Sequence, residues 1–541
     1  MDYDTIIYHL NPFGKYQLFV CLILNIGSSL NSMTSLVLNF IMTQHIHRCQ
    51  IPHYDLDHYS PPGSVFINTT NGELNYNVTE CTIEFNGTTT TCNSWVYDQG
   101  LFKSTIISKF DVVCDEKFFR AHFLMAHYIG LLVGSILSGF LSDIIGRKPV
   151  LVLGIMSMLI AMVTRPFVPS LEMVTFLEFI NGFGSMVSYM IPFVLLTELV
   201  GPKMRLFASF CVYLGFCVGL YLLLILVYFI REWKLLMWAI GVPIGIFALI
   251  VIFFLDESPR WLISRGKMEE AMQSLKTVAK VNKMTLSLSV KDITIKDERT
   301  ATFTQFLKEL IKSKSLLWRL TIVSLNWFAL NLVYYGISMN VAKFGGDLFV
   351  NYAASSSAEL LAILFCWYTA NKIGRKKLFC TVMILGGVTC TSTIFTYLYA
   401  NESQTWLTTS LAMIGKFFVS IAFFVVYMFT AELFPTVLRA SSLGFASMTG
   451  RLGAISSAYI AELGTLIPSK FGSALPLIVY GVVGLTGGML SLYLPETTDI
   501  ILPEYVNDAI NINRTEQNSQ KSDGGEKSSV NNESQNGITY F

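Results

Sequence analysis

The chain has 541 residues, 52% of them hydrophobic and 14% charged, with a mean hydropathy of +0.53 and a formal net charge of +1. Soluble domains carry about 25% charged residues, so this composition excludes a string of water-soluble domains and the length counts membrane spans instead. A near-zero net charge averages over faces that see different compartments and carries no information about partners; no nucleic-acid partner is expected.

The first residues carry Asp2 and Asp4 rather than a basic region, so the apolar run that follows reads as a retained span, not a cleaved signal. Apolar runs of about 20 residues, each able to cross the hydrocarbon, recur near 16–38, 120–141, 149–168, 171–196, 206–230, 233–255, 317–340, 349–370, 378–398, 405–430, 440–463 and 474–495. The prediction is an all-α integral membrane protein, twelve transmembrane helices in two six-helix bundles. Residues 1–15 form an N-terminus, 16–255 one bundle, 256–316 a central loop, 317–495 the second bundle and 496–541 a disordered tail. The central loop holds Arg260, Arg265, Lys267, Lys276, Lys280 and further basic residues, so the positive-inside rule places it, and both termini, in the cytoplasm.

Residues 41–118 then fall outside, as a large extracellular loop. Sequons at Asn68, Asn77 and Asn86 fit that side as glycosylation acceptors, and Asn401 heads a fourth on a short outer loop. Cys49, Cys81, Cys92 and Cys114 sit where disulfides form; two bridges have three possible pairings, and sequence does not choose. The other six cysteines lie in spans and read as small apolar filler.

Two loops nearly repeat each other: Gly139-Phe-Leu-Ser-Asp143-Ile-Ile-Gly146-Arg147-Lys148 and, 228 residues later, Asn371-Lys-Ile-Gly374-Arg375-Lys376. Glu198 and Arg205, seven apart, recur as Glu432 and Arg439. Internal repeats in a polytopic chain are the signature of a secondary transporter built from two related bundles. Gly146 and Gly374 suit tight left-handed turns. The basic groups Arg147, Lys148, Arg375 and Lys376 face the carboxylates Asp143, Glu198 and Glu432, and the set reads as a latch that closes one conformation of an alternating-access cycle. Positive loops that merely set topology are the plainer alternative, but paired Glu-Arg spacing in both halves exceeds that need.

These loops resemble those of the major facilitator superfamily, and Asp256-Glu-Ser-Pro-Arg-Trp-Leu-Ile-Ser-Arg-Gly-Lys-Met-Glu-Glu-Ala271 resembles the opening of its central loop in the sugar-porter and organic-ion branches. His47-Arg-Cys49, Cys92-Asn-Ser-Trp-Val-Tyr-Asp98, Ser104-Thr-Ile-Ile-Ser108, Val113-Cys-Asp115 and Thr430-Ala-Glu-Leu-Phe-Pro-Thr436 together resemble solute carrier family 22, the organic cation, anion and zwitterion transporters. The likeness runs from Phe13 to about Thr497. Two departures stand out: Glu178 where the family usually has Arg in the fourth span, and Asn371 where the second loop usually begins with Asp. The first implies a different partner for Glu178, or an exposed position near the outer surface; the second, a weaker latch in the second half.

Charges inside the bilayer are costly and usually functional. At 1.5 Å per residue, Glu359 lies about 18 Å from the second Gly-Arg-Lys loop and Arg451 about 18 Å from Arg439, both near the midplane. Met448-Thr-Gly-Arg451 matches a place where the resemblance implies Asp in strict cation transporters and Arg in anion and carnitine-type ones. A guanidinium at Arg451 can grip a carboxylate, and Glu359 in the same layer can receive an ammonium, unless the two simply pair with each other. Tyr189, Tyr213, Trp327, Tyr335 and Phe424 match or neighbour cavity positions in the family, where an aromatic wall attracts quaternary ammonium at about 0.5–2 kcal/mol per contact. Leu332-Val-Tyr-Tyr-Gly336 and Gly345-Gly-Asp-Leu-Phe-Val-Asn351 resemble the carnitine and polyspecific zwitterion branch. The expectation is a secondary active or facilitative carrier of small organic cations or zwitterions, carnitine-like or betaine-like, in the plasma membrane. An organic anion carrier is the alternative that Arg451 also permits, and a substrate receptor that does not transport is a third.

No paired nucleophile and base and no metal-ligand spacing occur, so neither catalysis nor a cofactor is expected. A coupling ion is possible in principle, but no sodium site is legible. The chain ends Thr539-Tyr-Phe541, a pattern suited to strand addition in a PDZ domain.

Overall fold

A computed structural model describes residues 3–51, 59–69, 72–85, 87–114, 118–201, 204–285, 308, 310, 312–399, 401, 404–465, 467, 470–498, 503 and 509–510. The sequon residue Asn86 and the C-terminal PDZ-type ending lie outside the described residues, as do the side chains of Asn68 and Asn371. Asn77 and Asn401 are exposed.

Twelve long helices form the body. The first half comprises α1 (Lys15–Leu36), α2 (Phe119–Ile145), α3 (Arg147–Thr164), α4 (Leu171–Leu199), α5 (Arg205–Phe229) and α6 (Trp233–Phe254). The second comprises α7 (Lys314–Asn340), α8 (Leu348–Ile373), α9 (Arg375–Tyr399), α10 (Thr405–Leu433), α11 (Thr436–Glu462) and α12 (Lys470–Ser491). Helices satisfy their own backbone polar groups, which a lipid environment demands. Side chains finish several exposed starts: Ser170 accepts from the Met173 amide at 3.4 Å, and Asp347 accepts from Phe349 and Val350 at 2.8 and 3.0 Å.

Eleven of the described helices are long and apolar enough to cross a membrane by length and composition. The twelfth, α11, is as long as α2 and α7 but more polar, because it carries Arg439, Arg451 and Glu462 with many small hydroxyl residues. It packs on α7 and α2, so its polar groups are kept from lipid by protein rather than by composition. This is the arrangement expected of polar residues inside a membrane bundle.

Between α1 and α2 stands a small β-structured insertion. Strands β2 (Gly63–Thr69), β3 (Gly72–Val78), β4 (Thr82–Phe85) and β5 (Thr88–Thr91) form an antiparallel meander, while β1 (His47–Cys49) pairs with β6 (Trp95–Tyr97), Cys49 opposite Trp95. Disulfides join Cys49 to Cys92 and Cys81 to Cys114, with Cα separations of 5.7 and 5.8 Å, which selects one of the three pairings left open by sequence. The insertion marks one face of the bundle; the two Gly-Arg-Lys loops mark the other.

The segment expected to be a disordered tail from 496 begins with ordered contacts. Glu496, Thr497 and Thr498 bond to the start of α9 and to α10, and the carbonyl of buried Ala509 accepts from Arg319 at 2.6 Å.

Candidate functional site

The two repeat loops end in the same way. Gly146 and Gly374 adopt φ of +110° and +95°, the region that favours glycine. A carboxylate then sits over the next helix start: Glu257 accepts from the Arg147 and Lys148 amides at 3.0 and 3.2 Å, and Glu496 from the Lys376 and Lys377 amides at 3.1 and 3.3 Å. Added Cβ atoms would lie 2.3 and 2.9 Å from those carboxylates, whose side chains would have to shift, so it is the backbone angle that calls for glycine. Carboxylate on a helix N-terminus is favourable. Burial nevertheless pushes Glu257 above the ordinary carboxylate range. At Glu496 burial acts in the same direction, but bonds from the Lys376 and Thr497 amides and the Thr498 hydroxyl outweigh it and hold the group low.

Arg147 grips Glu198 through Nε and Nη2, at 3.2 and 2.9 Å, and touches the exposed Asp143 at 3.0 Å. Arg375 reaches Glu432 at 3.3 Å. Ser258 donates to Glu198, and Thr497 to Glu432 at 2.5 Å. Each of these bonds stays within its own half. The expected latch is therefore a pair of braces, each tying the loop between two helices to a third helix and to the chain leaving the half. Lys148 lies apart from the carboxylates, its Nζ donating to the Ile252 carbonyl at 2.9 Å, and Arg205 and Arg439 bond the carbonyls of Thr197 and Ala431 at 3.3 and 2.6 Å. The repeated sequence signal extends further than the loops: Glu257-Ser258 and Glu496-Thr497 are equivalent pairs 239 residues apart.

Cross-half contacts gather on the insertion face. Arg120 on α2 donates to the Met339 carbonyl at 3.0 Å and lies 3.7 Å from Glu462 on α11. Tyr221 meets Ser357 at 2.9 Å, and Phe40 packs on Tyr352 with centroids 4.3 Å apart. On the opposite face Phe210 packs against Trp367 at 4.9 Å.

Between the halves, near mid-helix, lies a cavity walled by α1, α2, α4, α5, α7, α10 and α11. Four residues singled out from sequence line it: Tyr189, Tyr213, Tyr335 and Arg451. Arg451 donates from Nη1 to the Tyr335 hydroxyl at 3.1 Å and contacts the Met186 sulfur at 3.2 Å, while among the described residues its Nε has no partner. Among the described lining residues it is the single fixed charge. The wall also holds Tyr128, Tyr334, Phe423 and Tyr427, which sequence reading passed over. Tyr334 adjoins Tyr335, and Tyr427 lies one turn beyond Phe424, so helix phase was the missing information.

Three expected residues lie elsewhere. Trp327 donates to Thr430 at 3.0 Å and abuts Tyr427 edge-on at 4.6 Å, supporting the wall from behind. Phe424 packs against Tyr213, centroids 6.2 Å apart. Glu359 does not face Arg451: it pairs with buried Lys416 at 2.7 Å and accepts from Tyr334 at 2.9 Å. Lys416 also stands 3.5 Å from the Tyr334 ring centroid and donates to Ser338. The ammonium receptor expected at Glu359 is thus already occupied, because a lysine one helix away neutralises it. Glu178 is fully buried, bonded to Arg165 at 2.5 Å and to His127 at 2.7 Å, rather than exposed near a surface.

Two six-helix halves around a central, aromatic, singly charged cavity define a membrane transporter of the major facilitator type, not an enzyme. Residues 64–507 match the family model described as "Sugar (and other) transporter". The chain is 30% identical to the organic cation transporter protein of Drosophila melanogaster over 95% of both chains, and 28% identical to organic cation/carnitine transporter 2 of Mus musculus over 94% of both. Its fold matches a D-xylose–proton symporter with a TM-score of 0.59 at 14% identity, over 89% of this chain and 98% of that one. The chain belongs to the sugar (and other) transporter family of the major facilitator superfamily and, within it, to solute carrier family 22.

Proposed function

We propose that this transporter carries small organic cations and zwitterions, foremost carnitine-like or betaine-like compounds that join a quaternary ammonium to a carboxylate. It does so across the plasma membrane by alternating access, with both termini and the braced loops in the cytoplasm and the disulfide-bonded insertion outside. Arg451 carries the reading: a buried guanidinium in the cavity, with an unpartnered Nε and no carboxylate lining the wall, leaves a place for a substrate carboxylate. The tyrosine wall supplies cation–π faces for the ammonium end. The names of the relatives, organic cation and organic cation/carnitine transporters, agree with this chemistry.

An organic anion carrier is the second reading, favoured by Lys416 occupying Glu359 and leaving the cavity without a free acid. Purified protein in liposomes, offered labelled carnitine, tetraethylammonium and a dicarboxylate, separates the two. Carnitine uptake exceeding that of the others supports the zwitterion; selective dicarboxylate uptake contradicts it. Binding of carnitine without flux into the vesicle would reduce the protein to a receptor.

A further inference from the structure

One group in the cavity wall has chemistry that substrate binding does not use. His127 on α2 is buried and lines the cavity, and its Nδ1 lies 2.7 Å from Glu178 Oε1 on α4. Glu178 is in turn held by Arg165, just beyond α3, at 2.5 Å and by the Asn181 amide at 2.9 Å. Helices α2 and α4 are drawn together closely here: a Cβ on Gly182 would lie 2.2 Å from the His127 carbonyl oxygen. Glu178 and Arg165 already neutralise each other, so the carboxylate needs no charge from His127. It fixes the ring instead, accepting the Nδ1 proton and leaving Nε2 as the free basic nitrogen. Among the described residues that nitrogen has no protein partner.

We propose that His127 is a proton-binding site that couples substrate transport to proton movement. Imidazole is the side chain whose charge changes between about pH 5 and 8. The groups that face it set the terms. Glu178 from α4 touches it, backed by Arg165 from the end of α3, and Tyr128 lies beside it with ring centroids 5.8 Å apart. The cavity it lines is shared with Arg451 from α11, with Tyr189, Tyr213, Tyr334, Tyr335 and Tyr427 from α4, α5, α7 and α10, and with the uncharged Asn31 and Ser35 from α1. The neighbouring Glu178–Arg165 pair screens a proton on Nε2 from one side, while Arg451 across the cavity opposes it. A substrate carboxylate entering beside Arg451 cancels that opposition. Proton and substrate therefore bind together and move in the same direction. The sense of coupling rests on the carboxylate reading above; the existence of the site does not. No covalent step is involved: a proton from water binds Nε2 on one side of the membrane and is released to water on the other.

A structural histidine that only completes the Glu178 bond is the competing account. His127→Gln separates them, because the Gln amide still donates to Glu178 but takes up no proton. Two measurements on the full-length protein suffice. The first is proton uptake by purified protein between about pH 5 and 8, with no substrate. Wild type is expected to take up about one proton more than H127Q, and equal uptake overturns the site. The second is proton movement in liposomes carrying a trapped pH dye, with carnitine as probe. Wild type is expected to bring about one proton in with each carnitine, and H127Q none. Carnitine flux without proton flux in wild type overturns coupling. Failure of carnitine to be carried, with the uptake difference intact, overturns the carboxylate reading and leaves the proton site standing.

Discussion

Lys416 and Glu359 show how single residues in this protein depend on their partners. Both are nearly free of solvent, their contact is 2.7 Å through Glu359 Oε1, Tyr334 and Ser338 add bonds, and among the described residues Glu359 Oε2 has no hydrogen-bond partner. Removing one member of a buried pair leaves an uncompensated charge at a cost of about 3–5 kcal/mol, whereas removing both is often nearly neutral. Lys416→Met alone is expected to abolish surface expression or folding. The double variant with Glu359→Gln is expected to restore most of it, as read by size-exclusion profile and thermal stability. No rescue would mean that the lysine has a role beyond neutralising Glu359. The pair backs the Tyr334 ring, and Glu359 lines a second, smaller cavity that shares Leu36 and Ser338 with the central one.

Helices and loops carry the next level. At Gly146 the positive turn angle disfavours any side chain and an added Cβ would displace the Glu257 carboxylate, whereas Gly444 on α11 has nothing within 4 Å of its added Cβ and an ordinary helical angle. Gly146→Ala should lower the melting temperature while Gly444→Ala leaves it level or raises it, since Ala is favoured over Gly in a helix by about 1 kcal/mol. The carboxylates over α3 and α9 differ in a testable way. Glu496 is held below the ordinary carboxylate range, so its stabilising contribution is present above that range and is lost as pH falls through its own lower value. Glu257 is raised, so its neutral form is the one the fold favours. Glu496→Gln should therefore destabilise at neutral pH by an amount that vanishes on acidification, while Glu257→Gln is tolerated; thermal unfolding across pH reads both.

Much of this level was legible in sequence. Apolar runs and repeated loops predict the two halves because span length and turn chemistry are local properties. Helix α11 is legible as an apolar run near 440–463 even though it is more polar than the other spans. The disulfide pairing was not legible, since it depends on the meander that brings Cys49 to Cys92. Nor was the fate of Glu359 and Glu178, whose partners Lys416, Arg165 and His127 lie on other helices: charge placement along a helix gives depth, but not which neighbour it faces. The same gap explains why Tyr189, Tyr213, Tyr335 and Arg451 reach the cavity while Trp327 and Phe424 stand behind it.

At the scale of the whole molecule, the proposed alternating access requires the insertion face to open. The contacts that hold it shut join the halves directly, Arg120 to Glu462 and the Met339 carbonyl, and Tyr221 to Ser357. Glu462→Gln weakens one of them, so it should raise labelling of a cysteine introduced at cavity-lining Ser35 by a reagent supplied from the insertion side. Unchanged labelling would remove the Arg120–Glu462 pair from the gate. The braces on the other face join helices within one half and do not cross between halves.

The most direct test of the account is the ratio of carnitine to tetraethylammonium uptake in liposomes, measured for wild type and for Arg451→Gln. Losing a charge-assisted bond worth about 1.5–3 kcal/mol predicts that the variant's ratio falls by about 10-fold to 150-fold, with tetraethylammonium uptake retained. An unchanged ratio would contradict the assignment of Arg451 to the substrate carboxylate, and with it the proposed substrate class.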